Sequence, residues 1–479
     1  MKHNEVKSHH LSPWLQQIRK ERVSKKVDKT IRTDIAIIGG GIAGVTTAYY
    51  LLKHTKKKVI LIEGSKIAHG ATGHNAGQVV AYFEKPFSEI VEEYGLHLAA
   101  KAQKDVLNAW NLLKDIYRDT KIKVPLTIFK GYAGCSSVEQ VLVHLHNKEL
   151  RHKANIRMEK IYVADDKSVL EHVSRKYSKL YTTRSQKDIL SMLQTRHKHY
   201  VAALETKKGT LNSALFCEEL IHYFQHKYPK RFTLYEHSPV SKVILHKKYA
   251  DLKSHKNIRA GKVILCTNGF EHIHVINKAG AATDKKFHES VIGIVSHMAG
   301  YIEENHKLPI AISYFDDKEV DSSAAYFYLT RRKYEFEGNK HCDLVCVGGP
   351  EITLRDKSKY VREKDYHPTA HKQIKKFVKS AYTAAPKNPK YSFFWHGLMG
   401  YTKTKLRIVG FEPCNSVLLY NLGCNGVGIL PSIYGAKRIA DLLTKKKAES
   451  TIFDPKDVRC ELKKSKSDAH IRPAKIHRI

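Results

Sequence analysis

The sequence predicts an α/β protein: a discontinuous Rossmann-like domain and a second, α+β domain built on an antiparallel sheet. Three observations carry this. Residues 34–63 read as strand, glycine turn, helix and strand. Two further apolar strands, ending near Gly269 and Leu422, each run into a turn of glycines and small polar residues. Between them lie alternating stretches, residues 324–329 and 343–349, which suit a sheet with one wet face. A chain of 479 residues exceeds one compact core and implies two or three structural units.

The first element is the most specific. Ile35–Ile38 is apolar and β-branched, as a buried parallel strand requires. Gly39, Gly41 and Gly44 follow at the dinucleotide-fingerprint spacing. The first permits the tight turn, the second admits a pyrophosphate to the backbone, and the third lets helix and strand pack closely. The helix opening at Ile42 and Ala43 aims its free N–H groups and positive dipole end at that pyrophosphate. Glu63 ends the second strand, placed to accept hydrogen bonds from a ribose diol. The expected ligand is a dinucleotide with an unphosphorylated adenosine ribose.

Residues 1–33 read as a basic, polar extension with a short helix around Trp14–Arg19. The small-residue run from Gly70 to Gln78 is too glycine-dense for a helix. Residues 88–118 carry apolar positions at helical spacing. Val124–Phe129 and Val138–Leu145 read as strand-like, and residues 209–224 as a capped helix start with an amphipathic helix. Phe232–Glu236, Val240–Leu245 and residues 261–269 carry strand signals; residues 370–383 are helical. Pro386 and Pro389 mark a turn into residues 392–402, and a last helix runs to Leu443. The expected partition assigns 34–90, 205–285 and 390–445 to the dinucleotide domain and 91–204 and 286–389 to the second. Basic tails flank them at 1–33 and 446–479.

Bulk properties exclude several classes. No apolar run approaches the roughly 20 residues of a membrane span. The N-terminal stretch lacks the apolar core and cleavage site of a secretory signal, so a cytoplasmic location is expected. The 8 cysteines are scattered and read as structural thiols. Cys342 and Cys346 lack a second pair, and His197/His199 and His272/His274 are expected by chance among 29 histidines, so no metal is expected. The net charge of +36 would suit a polyanion. It is spread along the chain, however, and reads as a solvated surface rather than a nucleic-acid stripe, so no specific nucleic acid is expected.

The order of the glycine-rich segments resembles the D-amino-acid oxidase-like family of FAD-dependent oxidoreductases, nearest its γ-glutamylputrescine oxidase-like branch. The matching segments are residues 39–44, 70–78, 209–212, 236–240, 263–269, 395–402 and 423–428. The resemblance implies a discontinuous Rossmann-like FAD-binding domain and a substrate domain whose antiparallel sheet roofs the flavin. It implies FAD contacts from Gly70, Ala71, Thr72, Asn75, Gly77 and Gln78, from Val240, and from Thr267, Asn268 and Gly269. It implies more from Gly423, Asn425, Gly426, Val427, Gly428 and Ile429, where a helix N-terminus would stabilise the reduced flavin. Met399 stands where some relatives carry a flavin-linking Cys, so non-covalent FAD is expected; Cys424 lies nearby.

The implied reaction moves a hydride from the carbon beside an amine to flavin N5, with electrons passing to oxygen or another acceptor. Tyr401 matches a substrate-facing position, and His396 shares its strand; both are candidate catalytic residues. Sarcosine-oxidising relatives hold the substrate carboxylate with a Lys where this chain has Leu430. A small amine whose carboxylate, if any, lies far from the oxidised carbon is therefore expected, unless Arg331 or Arg332 substitutes. Two other classes fit less of the sequence: a flavoprotein of tRNA wobble-base modification, and a non-catalytic flavin-fold interaction protein.

Overall fold

Parallel strands rich in β-branched and leucine residues need cover on both faces, and the first sheet has it. The computed structural model describes residues 12–18, 22–283, 287–304, 308–315, 327–362, 364, 369–445 and 449–456. Its parallel core runs Phe232–Tyr235, Val59–Ile62, Ile31–Ile38, Asn257–Leu265 and Asn415–Leu422, in register at Ile35↔Val59, Ala36↔Val263 and Val263↔Leu418. The strand Val59–Ile62 is buried throughout. The helix Ile42–His54 buries eleven consecutive residues, Ile42 to Leu52. It packs on the C-terminal helix Ile429–Thr444, so the two ends of the domain meet.

A second, ten-stranded sheet runs from Tyr391–Tyr401 through Ile292–Glu303, Asn339–Leu354 and Phe327–Phe336 to Leu126–Cys135 and Ala202–Leu211. Leu329 pairs with Val347, as the alternation predicts, while Tyr326 lies outside the described residues. The sheet is mostly antiparallel but not wholly so, since Ile310–Tyr314 runs parallel to Leu126–Cys135. Among the described residues the strand Tyr391–Tyr401 pairs within this sheet and not with the first. Ala202–Leu211 does likewise. An apolar strand cannot announce which of two sheets will receive it.

Val138–Leu145 is helix, not strand: Ser137 caps Val138–Lys153 by accepting from Gln140 N–H, and Val141 and Leu145 face the core at i, i+4 spacing. The long helix Phe87–Thr120 breaks at Gly95, whose φ of 78° is left-handed. The N-terminal extension is not merely polar tail. Pro13–Gln16 forms a short helix whose Trp14 is fully buried. Cys414 is disulfide-bonded, which corrects its reading as a thiol; Cys135, Cys217, Cys266, Cys342, Cys346 and Cys424 are free. Among the described residues no helix is long and apolar enough to cross a membrane.

Candidate active site

A cavity of about 830 Å³ runs from the carboxyl ends of the parallel strands to the inner face of the second sheet. Its volume is in the upper part of the range for small-molecule sites. One end is walled by Gly39, Gly41, Ile42, Ala43 and Glu63, with Val240, Thr267 and Asn268 beside them. Gly39 turns with φ +107°, and a Cβ there would stand 2.6 Å from the Cys266 carbonyl. Gly44 lies off the cavity; its missing Cβ would meet the Gly39 carbonyl at 1.9 Å, which is the close packing expected of the third glycine. A Cβ on Gly41 would approach Thr72 Oγ1 at 3.0 Å, and that hydroxyl accepts the Ile42 N–H at 2.9 Å. Glu63 accepts from Gly40 N–H at 2.7 Å and Ser65 N–H at 2.9 Å. Those bonds fix the carboxylate while leaving lone pairs for a hydroxyl.

This end fits FAD by a test independent of the motif. Thr267 Oγ1 and Ser254 Oγ are buried at the wall with no hydrogen-bond partner among the described residues. A buried hydroxyl without a partner costs about 1–3 kcal/mol, and phosphate or ribose oxygens would relieve it. The next stretch of wall comes from Gly70, Ala71, Thr72, Asn75 and Gln78, and from Gly426, Val427, Gly428 and Ile429 at the start of the C-terminal helix. Met399 and Cys424 also face the cavity. Burial raises the Cys424 thiol above its ordinary value.

Six expected site residues stand off the wall: Gly44, already described, and five more. Gly77 lies against the Trp14 ring, 2.7 Å from where its Cβ would be. Gly269 packs on Val291 and Gly423 on Thr402. Asn425 braces the turn instead, accepting the Thr402 N–H at 2.8 Å and donating to the Gly423 carbonyl at 3.1 Å. His396 is buried beside His297 and Tyr360, with only the latter reaching the cavity.

Tyr401 does reach it, in company that the sequence did not reveal. At Gly426, whose φ is +77°, a Cβ would stand 2.7 Å from Tyr401 Oη and 2.9 Å from Glu84 Oε1. Glu351 presents its side chain to the same end, on the strand opposite Ser296. Ser296 Oγ lies 3.0 Å from Tyr328 Oη. Glu351 is exposed to the open cavity; desolvation by the surrounding wall, then the nearby Glu84 charge, moves its carboxyl up to about 7. Burial and then Glu84 and Glu351 push the Tyr401 phenol far up, so it stays protonated. Tyr82 and Ser313 complete this wall.

Arg362 and Arg407 line the cavity, whereas the arginines expected to replace a substrate-binding Lys do not. Arg331 donates to the Leu308 carbonyl and Tyr382 Oη, and Arg332 is buried over the Trp14 ring; neither lines the cavity. Leu430 is fully buried and also off the wall. Arg407 is bound to Asn421 through its side chain and carbonyl, and Arg362 donates to Ser65 near Glu63. Lys208 sits behind Ser313, its Nζ donating to the Tyr132 carbonyl at 3.1 Å, and burial lowers it to about 7.

A family model described as FAD dependent oxidoreductase matches residues 34–442. The γ-glutamylputrescine oxidoreductase of Escherichia coli is 32% identical over 73 residues, 15% of this chain and 17% of that protein. The first three curated relatives are covered over 17%, 32% and 17% of their lengths. Among solved structures, glycine oxidase from Geobacillus kaustophilus superposes with a TM-score of 0.63 at 14% identity, over 88% of this chain and 98% of the other. L-proline dehydrogenase from P. horikoshii gives 0.62 at 17% identity, over 91% and 99%. At such identities the structural likeness speaks for the fold.

Proposed function

The chain belongs to the FAD-dependent oxidoreductase family, and from that premise we propose that it oxidises the C–N bond of a positively charged amine. One observation supports this most: Glu84 and Glu351 face the cavity beside Tyr401, at the turn that opens the C-terminal helix. FAD bound without a covalent link would supply the acceptor for a hydride leaving the carbon next to a nitrogen that has already given its proton to solvent. The chain's own residues bind and orient. Tyr401 offers a protonated hydroxyl at the helix end, and the two carboxylates attract a second ammonium on the substrate. A small α-amino acid would bring a carboxylate against Glu84 and Glu351, where like charges repel. That disfavours sarcosine-like substrates and favours amines with a cation several bonds from the reacting carbon.

Gly39, Gly41, Ile42, Ala43 and Glu63 would hold the adenosine diphosphate half of FAD, with Val240, Thr267 and Asn268. Gly70–Gln78 and Gly426–Ile429 would hold the flavin half. The partition into an FAD-binding and a substrate unit follows the two sheets, with Tyr401 on the substrate side.

The test is reduction without oxygen. Purified protein, reconstituted with FAD, is mixed anaerobically with a panel of primary and secondary amines. Bleaching of the flavin band by amines supports the reading. A protein that takes up FAD but is reduced by no amine, while alcohols or hydroxy acids reduce it, overturns it.

A further inference from the structure

The loop from Gly70 to Gln78 has two faces, and only one meets the cavity. Behind it lies the N-terminal segment. Leu15 Cδ2 stands 2.7 Å from where a Gly73 Cβ would be, and the Trp14 ring 2.7 Å from that of Gly77. Trp14 Nε1 donates to the Asn75 carbonyl at 2.5 Å, and Ser12 Oγ donates to the Gly73 carbonyl. Asn75 in turn donates to Ser213 Oγ at 2.8 Å, and Ser213 Oγ to the Thr72 carbonyl at 2.6 Å. Thr72 is the residue that receives the Ile42 N–H. The Trp14 carbonyl accepts from Asn212, which caps the helix Ser213–Lys227. Tyr334 of the second sheet donates to the Pro13 carbonyl at 2.7 Å.

Further along, Arg22 binds Glu218 and Glu236, with Nη1 2.6 Å from Glu236 Oε2. Glu236 is 1% exposed and also accepts the Ile67 N–H at 2.8 Å. Val27 N–H donates to Ser238 Oγ at 3.0 Å, and Ser238, Pro239 and Val240 line the cavity. The N-terminal segment thus braces the cavity wall at two places, under Gly70–Gln78 and beside Val240.

We propose that residues 12–18 and 22–27 form a strap that sets the FAD-contacting loops, with Trp14 and Arg22 as positioning residues. This rests on the cavity being the FAD site. The glycine at 77 is then explained by the strap and not by the cofactor, since Trp14 fills the space a side chain would need; at Gly73 the Ala68 carbonyl, 2.4 Å from the missing Cβ, and Leu15 share that role.

The full-length chain carrying Trp14→Ala or Trp14→Phe tests it. FAD dissociation is followed by fluorescence on titrating apoprotein, and folding of each apoprotein by its thermal midpoint and circular dichroism. The strap predicts that W14A apoprotein keeps its fold and binds FAD at least about tenfold more weakly, within the usual span of coupling between sites. W14F keeps a ring in the niche but loses the donor to Asn75, and falls between. An affinity of folded W14A within about twofold of the native chain overturns the proposal. If W14A does not fold, W14F decides: native affinity overturns it, weakened affinity supports it. A native chain that takes up no FAD overturns the underlying site instead, which separates the two failures.

Discussion

At the dinucleotide end the wall is chiefly main chain, a left-handed Gly39, a bare Gly41 and the opening turn of a helix within a few consecutive residues, joined by the Glu63 carboxylate and the Thr267 and Ser254 hydroxyls. At the other end it is side chain, with Glu84 after a two-residue strand, Glu351 on the second sheet and Tyr401 on a third segment. The first end recognises by shape and by dipoles that any residue supplies. The second recognises by charge, and each carboxylate there raises the cost of ionising the next. A site built this way can keep its cofactor while its substrate changes, because the two kinds of wall share few residues.

The largest expected effect attacks the backbone end. Gly41→Val should leave the apoprotein folded yet reduce FAD uptake below detection, since the branched side chain occupies the pyrophosphate's space. Equilibrium dialysis with FAD checks this, and retained binding would mean the wall there is looser than it looks.

A smaller effect should follow at the carboxylate end. Glu84→Gln and Glu351→Gln should each lower kcat/KM for a charged amine by about tenfold, the scale of one hydrogen bond to a charged group. Neither should change FAD affinity, and steady-state kinetics beside FAD titration would separate the two ends.

The pH dependence should reach a similar size at most. Glu351 is neutral below about 7 and negative above it. Lys208, lowered to about 7, loses its positive charge over the same interval. Both changes make the pocket more negative as pH rises, so binding of an ammonium substrate should tighten through about 7. E351Q should flatten that limb, and a native profile falling there instead would put a different group in control.

The smallest effect is expected at His396, which lies behind Tyr360. His396→Gln should change the flavin reduction rate by less than Tyr401→Phe does, as rapid mixing would show.

These ends also differ in what the sequence could disclose. The fingerprint glycines and Glu63 are legible because one strand, one turn and one helix fix their separations. FAD and the family needed more than this local grammar: they follow from the order of seven segments spread from residue 39 to 428. Glu84 and Glu351 have no local signature; they become a pair only when Gly426 brings Glu84 and Tyr401 together and a long strand carries Glu351 across. Gly77 misled for the opposite reason, since its glycine is required by Trp14, 63 positions earlier. The run Val138–Leu145 carries apolar residues compatible with either period, and the Ser137 cap decided for helix. His396 was grouped with Tyr401 by sharing a strand, but sharing a strand does not put a side chain on the cavity wall.

The central claim is that a charged amine, not a small α-amino acid, is the donor. The most direct measurement is anaerobic flavin reduction, comparing putrescine and γ-glutamylputrescine with sarcosine and D-alanine in the native chain and in the Glu84→Gln, Glu351→Gln double variant. The account predicts that the native flavin is reduced faster by the long amines, and that this preference collapses in the double variant. Fast reduction by sarcosine or D-alanine with none by the long amines, or a preference untouched by removing both carboxylates, would contradict it.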